Sequence, residues 1–378
     1  MTGDPHPWHW RPGDDPGGRR FAHLLDGDDD RRWLESGGSL PGLTVAYETW
    51  GTLDASGGNA VLVLHALTGD SHASGPPGPG HPTLGWWDPL IGPGRAIDTD
   101  RYFVVCPNVL GGCQGTTGPS SPAPDGAPFG SRFPLITVRD QVAVEIALAD
   151  ALGIGRWAAV VGGSMGGMRA LEWAVMAPER VERLIVLACG ASATAEQIAL
   201  CSTQIAAIEV DASFRGGDYY DQIGGEGPVA GMGVARRIGQ VSYRTHAELA
   251  SRFGRSAQKG EDPAFGGRFA VESYLEHAAE KLAQRFDPNS YVVLSRAMNH
   301  HDVGRARGGL GAALERVQAA PTVIAVDSDR LYRPAEQAEL AALLPTRPSV
   351  RVVNSIYGHD AFLVETDHVG KYLADALA

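Results

Sequence analysis

A short segment near the middle of the chain has the spacing of a serine nucleophile turn. The sequence GGSMG at residues 162–166 fits the pattern G-x-S-x-G, in which a serine lies on a sharp turn between a strand and a helix. An apolar run at 158–161 precedes the turn, and a helical pattern follows it. Small residues are needed there because the strand and the helix cross closely. The segment therefore predicts that Ser164 is a nucleophile rather than part of an ordinary glycine turn.

A serine hydroxyl needs a base, and the base needs a carboxylate to orient it. After this kind of turn the expected order along the chain is serine, acid, histidine. Of the twelve histidines, His359 follows the last predicted strand in a loop, whereas His368 opens the final predicted helix, so we expect His359 to be the base. Asp327 and Asp329 both end the preceding predicted strand. The sequence pattern alone leaves the choice between these two acids open.

An acyl-transfer serine also needs N–H donors where the negative oxygen forms. We expect the N–H of Met165 to be one donor, and the N–H of Leu67 or a neighbour, in the loop after an early apolar strand, to be the second. His65 at the end of that strand is expected to be a packed structural histidine. The segment NHHD at 299–302 has no ligand pair at helical spacing, so we expect no metal site.

The segments around these residues alternate between short apolar runs and amphipathic helical patterns. The alternation runs from Leu43 to Cys189 and resumes at Ala320, which indicates a mostly parallel sheet covered by helices, the α/β class. About 130 residues between the two parts are typical of helices and loops. We therefore expect a loosely structured lead-in at 1–40, in which a first strand is left open, a core at 41–189 plus 320–378, and a helical lid at 190–319.

The composition limits the partners and the location. Asp and Glu number 44 against 32 Lys and Arg, so the average surface repels nucleic acid. No apolar run approaches the roughly 18 residues that span a bilayer, and the first residues lack a signal-peptide pattern. The four cysteines show no CxxC spacing, which indicates reduced thiols. We expect a cytoplasmic protein with no nucleic-acid or membrane partner.

Several long segments resemble the homoserine O-acetyltransferase family of the α/β-hydrolase fold. They include LHALTGDSH, GGSMGGMRALEWA, NHHDVGRARGG and IYGHDAFLVE, and the resemblance runs from about Tyr47 to the C-terminus. The family's nucleophile falls on Ser164, its aspartate, in the motif S-D-x-L-Y, on Asp329, and its histidine on His359. The resemblance therefore implies an α/β-hydrolase fold with a helical lid inserted between strands, and it favours Asp329 over Asp327.

The resemblance also implies a substrate and residues that bind it. The family's substrate-binding arginine falls on Arg236, and Tyr243 and Asp360 match two further positions. A guanidinium suits an α-carboxylate, and Asp360 could hold the α-ammonium group. The implied reaction is a ping-pong transfer of an acetyl group from acetyl-CoA, a co-substrate rather than a bound cofactor, to L-homoserine, in methionine biosynthesis, by a homodimer paired through the lid. The alternatives are a homoserine or serine O-succinyltransferase, a serine esterase or thioesterase, and a catalytically inactive binding module.

Overall fold

The computed structural model describes residues 9–25, 31–220 and 227–378. These residues form twelve strands and eleven α-helices. The strands are β1 (Arg20–Leu25), β2 (Arg31–Trp33), β3 (Ser39–Pro41), β4 (Leu43–Trp50), β5 (Ala60–Leu64), β6 (Ile91–Gly92), β7 (Ile97–Asp98), β8 (Phe103–Pro107), β9 (Ala159–Gly163), β10 (Arg183–Leu187), β11 (Ala320–Val326) and β12 (Arg351–Val353). The helices are α1 (Val138–Ala151), α2 (Met165–Met176), α3 (Ala195–Glu209), α4 (Val229–Tyr243), α5 (His246–Arg252), α6 (Ala270–Ala283), α7 (Pro288–Asn299), α8 (Leu310–Leu314), α9 (Pro334–Leu343), α10 (Ala361–Val364) and α11 (Thr366–Leu377).

Eight strands form the central sheet in the order β1-β4-β8-β5-β9-β10-β11-β12. β1 and β8 pair antiparallel with β4, and each neighbouring pair from β8 to β12 is parallel. Side chains of β5 enter two apolar clusters alternately: Leu62 and Leu64 join the cluster that contains residues of α1 and α2, and Val61 and Val63 join the one that contains residues of α11. The sheet therefore has a core on both faces, and the predicted α/β class is confirmed.

The N-terminal segment contributes to this sheet more than its composition indicates. Residues 1–40 are expected to be a loosely structured lead-in, with a first strand left open, and the structure places β1 at the sheet edge beside β4. Arg19 is buried, and its Nη1 donates to the Gly80 carbonyl at 2.9 Å. The physical reason is that β4 would otherwise expose an unpaired edge. The core thus begins before residue 41, while 1–8 and 26–30 lie outside the described residues.

Helices α3 to α8 lie between β10 and β11, within the segment where the sequence predicts a helical lid. α4 packs against both α3 and α6, and α3 also contacts α7. Asp287 caps the N-terminus of α7, because its side chain accepts the Ser290 N–H at 2.8 Å. Residues 221–226 of this insertion lie outside the described part of the chain. Within the described part, none of the helices has both the length and the apolar character needed to cross a bilayer.

Candidate active site

Ser164 lies on the turn between β9 and α2 in a strained backbone conformation. Its φ of 55° and ψ of −124° fall in a region that residues with side chains rarely adopt. Glycines make the turn possible: a Cβ on Gly162 would lie 2.1 Å from the Gly166 carbonyl oxygen, and a Cβ on Gly166 would lie 2.0 Å from that of Leu64. The strand and the helix therefore touch backbone to backbone, which fixes Ser164 at the carboxyl end of the parallel strands.

Three side chains from separate loops form a hydrogen-bonded chain at this edge of the sheet. The Nε2 of His359 lies 2.8 Å from the Ser164 Oγ, and its Nδ1 lies 2.7 Å from the Asp329 Oδ2. Burial alone would lower the pKa of His359, but the charge and hydrogen bond of Asp329, with a smaller effect of Asp360, raise it above its ordinary value. The arrangement has the geometry of a serine nucleophile, its base and an orienting acid.

The two acids between which the residue pattern alone could not choose have different partners. The Oδ1 of Asp329 accepts the backbone N–H groups of Leu331 at 2.8 Å and Tyr332 at 2.9 Å, which leaves Oδ2 directed at the histidine. Asp327 is exposed and accepts the Ser355 N–H at 3.0 Å. Geometry therefore brings Asp329, and not Asp327, into the triad arrangement.

The two residues expected to supply N–H groups to an oxyanion are the chain neighbour of Ser164 and a residue that lines the same cavity. Met165 begins α2, and Leu67 lies in the loop after β5 and lines the cavity. Within the described ranges, neither N–H donates to another residue, so both are available to a ligand. His65 supports the loop: its Nε2 accepts the Val109 N–H at 3.0 Å, and burial lowers its pKa to about 3. His65 is thus a neutral structural side chain.

A cavity of about 260 Å³ opens at Ser164. Its volume is below the range typical of drug-sized ligands, which suits a small substrate. Arg236 on α4 lines it, and the Nε of this arginine is buried without a partner among the described residues. The centre of its guanidinium lies 5.8 Å from the centroid of the Tyr243 ring. The structure therefore brings Arg236, Tyr243 and Asp360 together at the cavity that contains Ser164 and His359.

Two further arginines of the cavity were missed by sequence reasoning. Arg244 pairs with Asp360, with its Nε 3.0 Å from Oδ2, and Arg285 reaches the cavity from beyond α6. No motif spacing marks either residue, and both come from the helical insertion. Three guanidiniums face a single carboxylate here, so the cavity is locally positive in a chain of net charge −12. Such a cavity favours anionic groups.

Comparison with known proteins identifies the family. A family profile described as the alpha/beta hydrolase fold matches residues 59–366. The homoserine O-acetyltransferase of Thermobifida fusca is 60% identical over 369 residues, which cover 98% of this chain and 96% of that protein. The chain belongs to the homoserine O-acetyltransferase family. This confirms the resemblance found in the sequence.

Solved structures agree with this assignment to the homoserine O-acetyltransferase family. A homoserine O-acetyltransferase from Bacillus anthracis has a TM-score of 0.85 at 28% identity, covering 95% of this chain and 97% of that one. An esterase has the same TM-score at 27% identity, covering 95% of this chain and 99% of that one. The predicted α/β-hydrolase fold is confirmed. Since transferases and esterases share it, the fold alone does not decide which nucleophile receives the acyl group.

A second buried cluster of ionisable side chains in this family member lies outside the cavity lining. The potential ligand atoms of Glu48, His72 and His81 all lie within 4.8 Å of one another. The two imidazole rings stack at 3.9 Å with an angle of 10°, so their in-plane lone pairs lie in parallel planes and are poorly arranged to share one ion. The Gly18 N–H already donates to the His81 Nε2 at 3.0 Å. We interpret the cluster as a hydrogen-bonded link between the N-terminal segment and the core.

Proposed function

We propose that the protein transfers an acetyl group from acetyl-CoA to the hydroxyl of L-homoserine through an acetyl-Ser164 intermediate. One observation carries the proposal: the hydrogen-bonded Ser164 and His359 line the same small cavity as Arg236, whose Nε has no partner among the described residues. A substrate in this cavity could therefore contact the nucleophile Ser164 and place a carboxylate at Arg236. The names of the relatives support acetyl and homoserine as the groups involved.

The first half-reaction is acylation of the serine. His359 removes the proton from the Ser164 Oγ as this oxygen attacks the thioester carbonyl, and Asp329 stabilises the imidazolium that forms. The N–H groups of Met165 and Leu67 donate to the negative carbonyl oxygen. The C–S bond then breaks, and the proton on His359 passes to the leaving CoA thiolate.

The second half-reaction reverses these roles. His359, now neutral, removes the proton from the homoserine hydroxyl, whose oxygen attacks the acetyl carbonyl. The ester bond to Ser164 breaks, and the proton returns to its Oγ. The product is O-acetylhomoserine, and we place the reaction in methionine biosynthesis.

The cavity offers a separate partner for each charge of a free amino acid. Arg236 would bind the α-carboxylate, and the Tyr243 ring lies against that guanidinium. Asp360 would bind the α-ammonium, although it already pairs with Arg244. The substrate would therefore share the Asp360 carboxylate with Arg244, a consequence that sequence reasoning did not foresee. We also propose that the protein is a homodimer paired through the helical insertion.

Release of CoA thiol tests the donor and the acceptor together. Acetyl-CoA and succinyl-CoA should each be measured against homoserine and serine. We expect the highest kcat/KM for acetyl-CoA with homoserine. The acceptors differ by one methylene, worth about 1–3 kcal/mol, so serine should be poorer by roughly 10- to 200-fold. A higher kcat/KM with succinyl-CoA would replace the acetyl assignment with a succinyltransferase.

Hydrolysis is the second candidate function, because an esterase matches this chain with the same TM-score as the transferase from Bacillus anthracis. An esterase would share Ser164 and His359 and would discharge the intermediate to water. We prefer transfer because Arg236 and Asp360 provide for a zwitterionic acceptor that hydrolysis does not need.

A further inference from the structure

Arg285 lines the cavity but has no role in the proposed reaction steps or in the proposed binding of homoserine. It lies just beyond the end of α6, and its backbone is held on both sides: its N–H donates to the Leu282 carbonyl at 3.0 Å, and its C=O accepts from the Gln114 side chain at 3.2 Å. From this fixed backbone position the side chain extends to the loop after β5, where its Nη1 donates to the Thr68 carbonyl at 2.9 Å. The helical insertion and the loop after β5 are thus joined at the cavity wall.

The carbonyl that Arg285 holds belongs to the residue after Leu67. The opposite side of the same loop is fixed by His65, whose Nδ1 bonds to the Ala66 carbonyl at 2.8 Å. The short segment that carries the Leu67 N–H therefore has a hydrogen bond on each side of it. Donors in such a site accelerate a reaction only when they are held in place before charge develops.

We propose that Arg285 is a positioning residue, which holds the Leu67 N–H at the oxyanion through the Thr68 carbonyl. The inference rests on the proposed acylation of Ser164, and it concerns only that chemical step. Arg236 differs from Arg285 in this respect, because its Nε has no partner within the described ranges and is available to a substrate. Arg285 and Arg236 thus have separate tasks: Arg285 fixes the loop, and Arg236 binds the ligand.

The rival explanation is that Arg285 binds an anionic group of a substrate, and two acyl donors separate the explanations. p-Nitrophenyl acetate carries no negative charge, whereas acetyl-CoA carries phosphates. The pre-steady-state burst of Arg285→Gln should be measured with each donor in the absence of homoserine. If Arg285 positions the loop, the acylation rate falls by a similar factor, roughly 10- to 100-fold, with both donors, since the loss of a whole oxyanion donor costs about 10²–10³.

Arg285→Lys and Arg316→Gln complete the design. Lysine keeps a charged donor and should restore part of the acylation rate with both donors, and it remains informative if the Gln variant is unfolded by circular dichroism. Arg316 is exposed, so its loss removes one positive charge from the chain and should leave both rates unchanged. A loss with acetyl-CoA alone, or no loss with either donor, would overturn the proposal. Absence of a burst in the unchanged protein would instead reject acylation of Ser164 itself.

Discussion

At the scale of single residues, the pKa of His359 links the cavity's charges to catalysis. The base must be neutral to accept a proton, so acylation falls as the pH drops through its raised pKa. Asp360→Asn removes one of the negative charges that raise it. We therefore expect the acid limb of kcat/KM for p-nitrophenyl acetate to move to lower pH. Asp327→Asn is the matched control, since Asp327 is exposed and bonds to Ser355, and an unmoved limb in Asp360→Asn would contradict the assignment.

Arg236 and Arg237 are neighbours on α4 with different surroundings. Arg236 lines the cavity, whereas Arg237 is exposed and lines a different groove. Hydrogen bonds to charged groups contribute about 1.5–3 kcal/mol, so Arg236→Gln should raise the KM for homoserine by roughly 10- to 150-fold. The acylation burst should change little. Arg237→Gln should leave both quantities unchanged, and an equal effect of the two substitutions on KM would rule out a carboxylate site at Arg236.

Some residues of the site could be predicted from the sequence and others could not. Ser164 and His359 could be predicted because their types, order and strand contexts are local features of the sequence. The residue pattern alone could not choose Asp329 over Asp327, since the choice depends on which carboxylate the turn after β11 directs inward, and only the family resemblance favoured Asp329. Arg285 carries no motif at all, because its position follows from how the insertion packs on the loop after β5.

At the scale of elements, the crossing of β9 and α2 depends on glycine. A Cβ on Gly166 would meet the Leu64 carbonyl carbon at 2.8 Å as well as its oxygen at 2.0 Å, and backbone atoms cannot move aside. We expect Gly166→Ala to lower the free energy of unfolding by about 1–3 kcal/mol or more and to remove the acylation burst. Gly311→Ala on α8, where a Cβ meets nothing within 4 Å, should be neutral or stabilising in urea unfolding. A fully active Gly166→Ala protein would contradict the described turn.

A buried ion pair joins α1, α2 and the end of β5. Arg169 donates to Glu145 at 2.7 Å and also to the His65 carbonyl, and the Trp173 indole donates to the other oxygen of Glu145 at 2.8 Å. Removing one partner of a buried pair costs about 3–5 kcal/mol, so Arg169→Met should reduce the free energy of unfolding by about that amount. In a double-mutant cycle, Glu145→Gln combined with Arg169→Met should cost less than the sum of the single changes. Simple additivity would show that the two groups are not coupled.

Strands and helices could be predicted where the pattern that specifies them lies within their own segment of the sequence. The parallel strands and the helices beside them follow from apolar periodicity, and α2 begins where the serine turn predicts. β1 was left open, because a short segment in a glycine- and proline-rich context gains its structure only by pairing with β4. β12 spans three residues, and the chain then turns and brings His359 to the cavity.

At the scale of the whole molecule, the cavity at Ser164 has a local charge opposite in sign to the net charge of the chain. The net charge is −12, yet three guanidiniums and one carboxylate line the cavity at Ser164. Two of the three arginines were not predicted from the sequence, because composition gives only the average over the surface. The insertion between β10 and β11 supplies all three, so it provides substrate binding while the sheet provides the nucleophile.

The central claim is that an acetyl group on Ser164 is delivered to homoserine. The most direct test mixes the protein with acetyl-CoA alone, locates the acetyl group by peptide mass spectrometry, and then follows its loss by intact mass with and without homoserine. The account predicts acetylation of Ser164, its absence in Ser164→Ala, and loss at least about tenfold faster with homoserine, a difference of about 1.4 kcal/mol in barrier. An acetyl group on another residue, or equal loss with and without homoserine, would contradict it.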